Sequence, residues 1–214
     1  MSWQGREMWA ALWRNIGASG DPSPWYDRLA AAYSEPHRRY HNQQHIAECL
    51  AEFDPAHHLA KQPDAVEFAL WFHDVVYEPK AGDNEERSAE LAVSCLAQAN
   101  LAETFVEGVR KIVIATKHHE AQPGSDEAVM IDVDLSILGQ GEKRFAEYEE
   151  QIRHEYDWVP AVVFALKRAE ILESFLARKN IFNTDFFREK YEGHARRNLQ
   201  ASIDRLKGSP GCGD

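Results

Sequence analysis

The chain has 214 residues, 44% hydrophobic and 28% charged, and its formal net charge at neutral pH is -11. These proportions are typical of a folded protein with a buried core, and the negative charge disfavours a nucleic-acid polymer or an anionic membrane as partner. The three cysteines are an odd number without paired spacing, which favours reduced thiols and a cytoplasmic protein. We find neither a signal-peptide pattern nor an apolar run of the ~20 residues that cross a bilayer.

Apolar residues recur at helical spacing along most of the chain, and prolines and glycines separate the segments. In the first segment, Trp9 and Trp13 share one face, which predicts core packing. Pairing of that face with a second copy of the chain, as a homodimer, is the alternative. Pro24 suits the first turn of a second helix, and Pro36 is expected to open a third helix that runs to Phe53.

The middle of the chain contains one strongly apolar helix and one ambiguous segment. The helix is expected to begin near Asp64 and to carry the apolar run 68–77. Residues 130–139 fit either a strand, by alternation, or a short buried helix, and periodicity does not decide between them.

Helical patterns continue through residues 142–207, and residues 208–214 are expected to fray. No internal repeat, linker or shift in composition marks a domain boundary. The sequence therefore predicts an all-α fold, with one compact helical domain over residues 1–214.

The apolar run 68–77 is unusual because it contains His73 and Asp74 side by side. Burying an imidazole and a carboxylate in a core is costly unless another group compensates their charge and lone pairs. A divalent cation would provide that compensation. The pair is therefore a candidate for two ligands of a metal site.

Further candidate ligands lie on other predicted segments. His41 and His45 are four residues apart and are expected on one helix face, and Asp132 and Asp134 lie in the ambiguous segment. One histidine and one aspartate from these pairs would complete a set of two imidazoles and two carboxylates, with open positions for water or substrate. Such ligands suit Mn, Fe, Co, Ni or Zn, and Mg less well, without choosing among them.

This order of His, His-Asp and Asp resembles the HD superfamily of metal-dependent phosphohydrolases. The similarity is closest to a bacterial branch known as predicted HD-superfamily phosphohydrolases, and four blocks carry it: 39–46, 71–77, 84–89 and 132–139. It extends through 152–156 to the C-terminal helices. The resemblance implies an HD-type helical bundle, with its metal-site core at about residues 36–140, and a hydrolytic chemistry. It does not name a substrate.

The first block also resembles the Tyr-His-Asn-x-x-x-His stretch of cyclic-nucleotide phosphodiesterases, with one residue fewer between the histidines. By position, that resemblance implies that His45 binds metal and that His41 is the general acid. The phosphodiesterases also have Asp before Leu-Ser, which favours Asp134 over Asp132 as a ligand. The implied metal ligands are His45, His73, Asp74 and Asp134.

Together these resemblances imply a phosphohydrolase that uses metal-activated water on a small phosphate ester, with a nucleotide as the leading class. Glu85 or Glu86 would orient the water. The cationic side chains expected to bind the remaining phosphate oxygens are Arg39 or Arg38, Lys117 and His118. Two alternatives are a nucleotide-sensing HD module with little turnover and, ranked lower, a di-iron HD-type oxygenase.

Overall fold

The computed structural model describes residues 5–208, and every regular element in that range is helical. The all-α prediction is therefore confirmed for the described residues. The ambiguous segment 130–139 is also helical, because an α-helix continues there into a 3₁₀ helix. None of the helices between residues 5 and 208 combines the length and apolarity that spanning a bilayer requires.

Packing contacts group the chain into two units, Met1–Asp134 and Leu135–Asp214. The single domain over residues 1–214 stays a prediction. The α-helices of the first unit are α1 (Gly5–Asn15), α2 (Ser23–Ala32), α3 (Gln43–Phe53), α4 (Pro63–Phe72), α5 (Asn84–Gln98), α6 (Glu103–Ala115) and α7 (Asp126–Asp134). A 3₁₀ helix, Asp54–Leu59, follows α3.

Helix α4 is the centre of the first unit and contacts α1, α3, α5, α6 and α7. From Ala65 to Phe72 its residues are buried, apart from the half-buried Glu67, as expected for a helix that is apolar all round. The Trp9 ring of α1 packs against three aromatic rings of α4 at centroid distances of 5.4–6.1 Å, those of Phe68, Trp71 and Phe72. Trp9 and Trp13 are thus core residues, and pairing of two copies stays a prediction.

Glu67 is an ionisable group within this core. Burial, with a contribution from Asp64, raises the pKa of Glu67 from 4.5 to about 7. The folded chain therefore holds the proton more tightly than the unfolded chain does. The associated stability is complete below pH 4.5 and is lost as the pH rises through about 7.

We expect Glu67→Gln to leave the free energy of unfolding unchanged near pH 4. Near pH 8 the substitution should raise it by about 1–2 kcal/mol, a value that allows for partial solvent screening of Glu67. Urea unfolding at both pH values measures the difference, with the exposed Glu90→Gln as control. A gain of equal size at both pH values would show that ionisation of Glu67 is not its cause.

The second unit begins with a 3₁₀ helix, Leu135–Gly139, and ends with α11. Its α-helices are α8 (Glu142–Glu155), α9 (Ala161–Leu176), α10 (Asp185–Phe187) and α11 (Gly193–Gly208). A Cβ on Gly139 would lie 2.5 Å from the Cβ of Tyr191, so this position requires glycine. Of the tail expected to fray, Gly208 is the last residue of α11, and residues 209–214 lie outside the described range.

Candidate metal centre

The segment that carries the first two histidines is only partly helical. Helix α3 begins at Gln43, because Asn42 is extended and its side-chain oxygen accepts the backbone N–H two residues later at 2.8 Å. This cap sets the start of the helix at Gln43, so the expectation that the helix begins at Pro36 is wrong. His41 lies before the helix and His45 lies on it, so the expectation that they share one helix face is wrong.

Helix α4 ends at Phe72, so the expectation that it carries the whole run 68–77 is wrong. His73 and Asp74 lie in the turn that follows it. The Nδ1–H group of His73 donates a hydrogen bond to the carbonyl oxygen of Leu70 at 2.9 Å. Because the ring proton is used on that side, Nε2 of a neutral His73 keeps its lone pair. This is the tautomer that binds a metal through Nε2.

Arg38 ties this turn to the segment before α3. Its side chain is 1% exposed, and it donates to the carbonyl oxygens of His41, Asp74 and Val75 at 3.1, 2.6 and 2.9 Å. These bonds occupy the guanidinium within the fold, so the expectation that Arg38 binds phosphate is wrong. Arg39, the other candidate, is exposed.

Four side chains converge at the end of α4. The Nε2 atoms of His45 and His73 are 3.1 Å apart. Oδ2 of Asp74 lies 3.4 and 3.1 Å from these two nitrogens, and Oδ1 of Asp134 lies 3.3 and 3.7 Å from them. A cation about 2.1 Å from each ligand has neighbouring ligands about 3.0–3.4 Å apart. Four of these five separations fall within that range, and the fifth, between Asp134 and His73, is longer at 3.7 Å.

The two imidazoles of the cluster are buried and the two carboxylates are half-buried, so opposite charges lie together in the interior. Burial raises the pKa of the Asp74 carboxyl, but His73 and His41 outweigh burial and hold that pKa well below its usual value. Burial lowers the pKa of His73, but Asp74 and Asp134 outweigh burial and raise that pKa well above the usual value for histidine. The two carboxylates therefore require positive charge beside them. Protons on the imidazoles supply it, and a divalent cation would replace those protons.

Two further side chains adjoin the cluster. The His41 ring stacks on Tyr77 with centroids 4.1 Å apart, and it lies 6.1 Å from the ring of His45. Sγ of Cys49, one turn after His45 on α3, is 3.7 Å from both nitrogens of the His45 ring. Cys49 was not predicted as a site residue, although its spacing of four from His45 is visible in the sequence.

One residue predicted to bind phosphate forms an ion pair with one predicted to orient water. Nζ of Lys117 forms an ion pair with Glu86 and donates to the carbonyl oxygen of Gly82 at 2.8 Å. Glu85 and Glu86 lie in the first turn of α5. His118 is exposed. The structure thus places Lys117 and Glu86 together, and the roles of Lys117, Glu85, Glu86 and His118 stay predictions.

His118 was the predicted site residue, but His119 is the residue that reaches the cluster. Its Nε2 lies 3.0 Å from Oδ2 of Asp134. Its backbone has a φ of 49°, in the left-handed region that non-glycine residues seldom adopt. The pair of histidines after α6 was the available signal. Which ring faces Asp134 depends on a backbone angle that hydrophobic periodicity does not encode.

The third predicted segment contributes Asp134, the last residue of α7, while Asp132 is buried on the same helix.

Comparison of the chain with protein-family models, with curated proteins and with solved structures finds no match. What the structure establishes is a set of histidine, aspartate and cysteine side chains whose donor atoms are close enough to hold a metal ion.

Proposed function

We propose that the chain is a metal-dependent phosphohydrolase that acts on a small phosphate ester, with a nucleotide as the leading class. The observation that carries this proposal is the convergence of His45, His73, Asp74 and Asp134 in one cluster, with both imidazoles buried. These four side chains would hold a divalent cation, one of Mn, Fe, Co, Ni, Zn or Mg. Such a cation lowers the pKa of water and neutralises charge on a phosphoryl oxygen when bound. The HD-type order of the motifs supports the same chemistry.

His41 is the side chain best placed to give a proton to the leaving oxygen. It lies beside the cluster without belonging to it, and stacking on Tyr77 holds its ring. An imidazole both carries and releases a proton near neutral pH, as a general acid must.

A carboxylate in the first turn of α5 would orient the attacking water. Ser88, in the same helix, accepts a hydrogen bond from the backbone N–H of Val76 at 3.1 Å, which holds the start of α5 close to the turn after α4. Glu85 and Glu86 are the carboxylates of that first turn. Arg39, Lys117 and His118 would bind the remaining phosphate oxygens.

Phosphate release by the purified chain tests the proposal. We expect release from at least one member of a panel of nucleotides and phosphorylated metabolites with Mn²⁺ present. A chelator and Asp74→Ala should each abolish release, whereas the surface control Asp157→Ala should leave it unchanged. Bound metal without release from any member would favour the sensing module. Two irons per chain without release would favour the oxygenase.

A further inference from the structure

The two oxygens of the Asp134 carboxylate have different partners. Oδ1 faces the nitrogens of His45 and His73 at 3.3 and 3.7 Å. Oδ2 lies 3.0 Å from Nε2 of His119. One carboxylate thus meets the candidate cation site with one oxygen and a third imidazole with the other.

We infer that His119 is a positioning residue, whose hydrogen bond to Oδ2 orients the Asp134 carboxylate so that Oδ1 is presented to the cation. The inference rests on the proposed function. A carboxylate can rotate and offer either oxygen, and a donor held against one oxygen removes that freedom. Partners of this kind typically contribute 10- to 100-fold to metal affinity.

The fold holds His119 in place independently of any cation. Its backbone N–H donates to the carbonyl oxygen of Ala115 at 3.1 Å, and Lys117, two residues earlier, is bound to Gly82. These bonds fix the turn after α6. The ring of His119 is therefore directed at Asp134 by the turn.

The backbone of His119 supports the same conclusion. A φ of 49° is disfavoured for a residue with a Cβ, and asparagine, aspartate, histidine and glycine adopt it more readily than other residues. Such conformations persist where the surroundings impose them, and they cluster at functional sites. Here the unfavourable backbone coincides with a side chain bonded to a candidate metal ligand.

Because φ is positive at His119, a glycine substitution can test the role of the ring separately from that of the turn. Glycine adopts this φ without a steric cost, so His119→Gly removes the imidazole and relaxes the backbone at the same time. The metal-free variant should stay folded by circular dichroism, because relief of the backbone offsets part of the cost of the lost bond to Asp134. Its dissociation constant for Mn²⁺ should nevertheless rise about 10- to 100-fold.

Two variants accompany this measurement. Glu120→Gly changes the exposed residue that follows His119 and should leave the Mn²⁺ dissociation constant unchanged. His119→Gln places an amide N–H at a reach similar to that of Nε2 and should bring the constant to within about threefold of the native value.

The outcomes are distinguishable. A His119→Gly chain that binds Mn²⁺ as tightly as the native chain overturns the positioning role. So does a His119→Gln chain that binds as weakly as the glycine variant. A native chain that binds no divalent cation overturns the proposed function itself.

Discussion

A chain in which His73 is replaced by glutamine is expected to lose its divalent cation and, with it, the release of phosphate. The substitution removes the Nε2 lone pair, which the bond from Nδ1 to Leu70 directs into the cluster. It leaves two carboxylates and a single imidazole around the site. We expect the dissociation constant for Mn²⁺ to rise by about 100-fold or more, because outer partners of a ligand alone contribute up to that amount.

The control for this prediction is His57→Gln, which changes an exposed histidine of the 3₁₀ helix after α3. Both variants are compared in their metal-free state by circular dichroism, so that loss of the cation is distinguished from loss of the fold. A folded His73→Gln chain with native affinity for Mn²⁺ would contradict the assignment of His73 as a ligand.

Arg38→Ala is expected to cause the largest loss of stability. The buried guanidinium bonds to the carbonyl oxygens of His41, Asp74 and Val75, and it also meets Glu35 at 2.9 Å. Without it, one buried and two part-buried acceptors lose their donor and a cavity remains. Each buried acceptor left unsatisfied costs about 1–3 kcal/mol. We therefore expect the free energy of unfolding to fall by about 3–5 kcal/mol.

Urea unfolding of the metal-free chain measures this loss, and Arg39→Ala is the matched control. Arg39 is exposed, so its removal should change the free energy of unfolding by less than about 0.5 kcal/mol. Arg38→Lys should recover only part of the loss, because an ammonium group lacks the planar fork of donors. Equal effects of Arg38→Ala and Arg39→Ala would show that the bonds of Arg38 contribute little to the fold.

The apolar pattern predicted the central helix, and the polar residues that interrupt this pattern predicted the candidate site side chains. His73 and Asp74 stand out because a core run rarely contains both, and the structure buries α4 and places this pair at its end. The resemblance to phosphodiesterases favoured Asp134 over Asp132, and the structure brings Asp134 to the cluster. The ligand roles themselves stay predictions.

Features that depend on single backbone angles or on side-chain bonds between distant segments were not predictable. Asn42 delays the start of α3 through one capping bond, so His41 is not helical. The positive φ of His119 selects which of two adjacent histidines meets Asp134. Arg38 donates hydrogen bonds to backbone carbonyls of the turn after α4, and these bonds form only when that turn is folded beside it.

The most direct test of the central claim is an anomalous difference map from crystals of the chain grown with Mn²⁺. We predict one manganese peak in the cluster, about 2.0–2.3 Å from Nε2 of His45 and His73 and from one oxygen each of Asp74 and Asp134. Full occupancy by manganese at another position, with these four side chains bonded only to one another, would contradict the account.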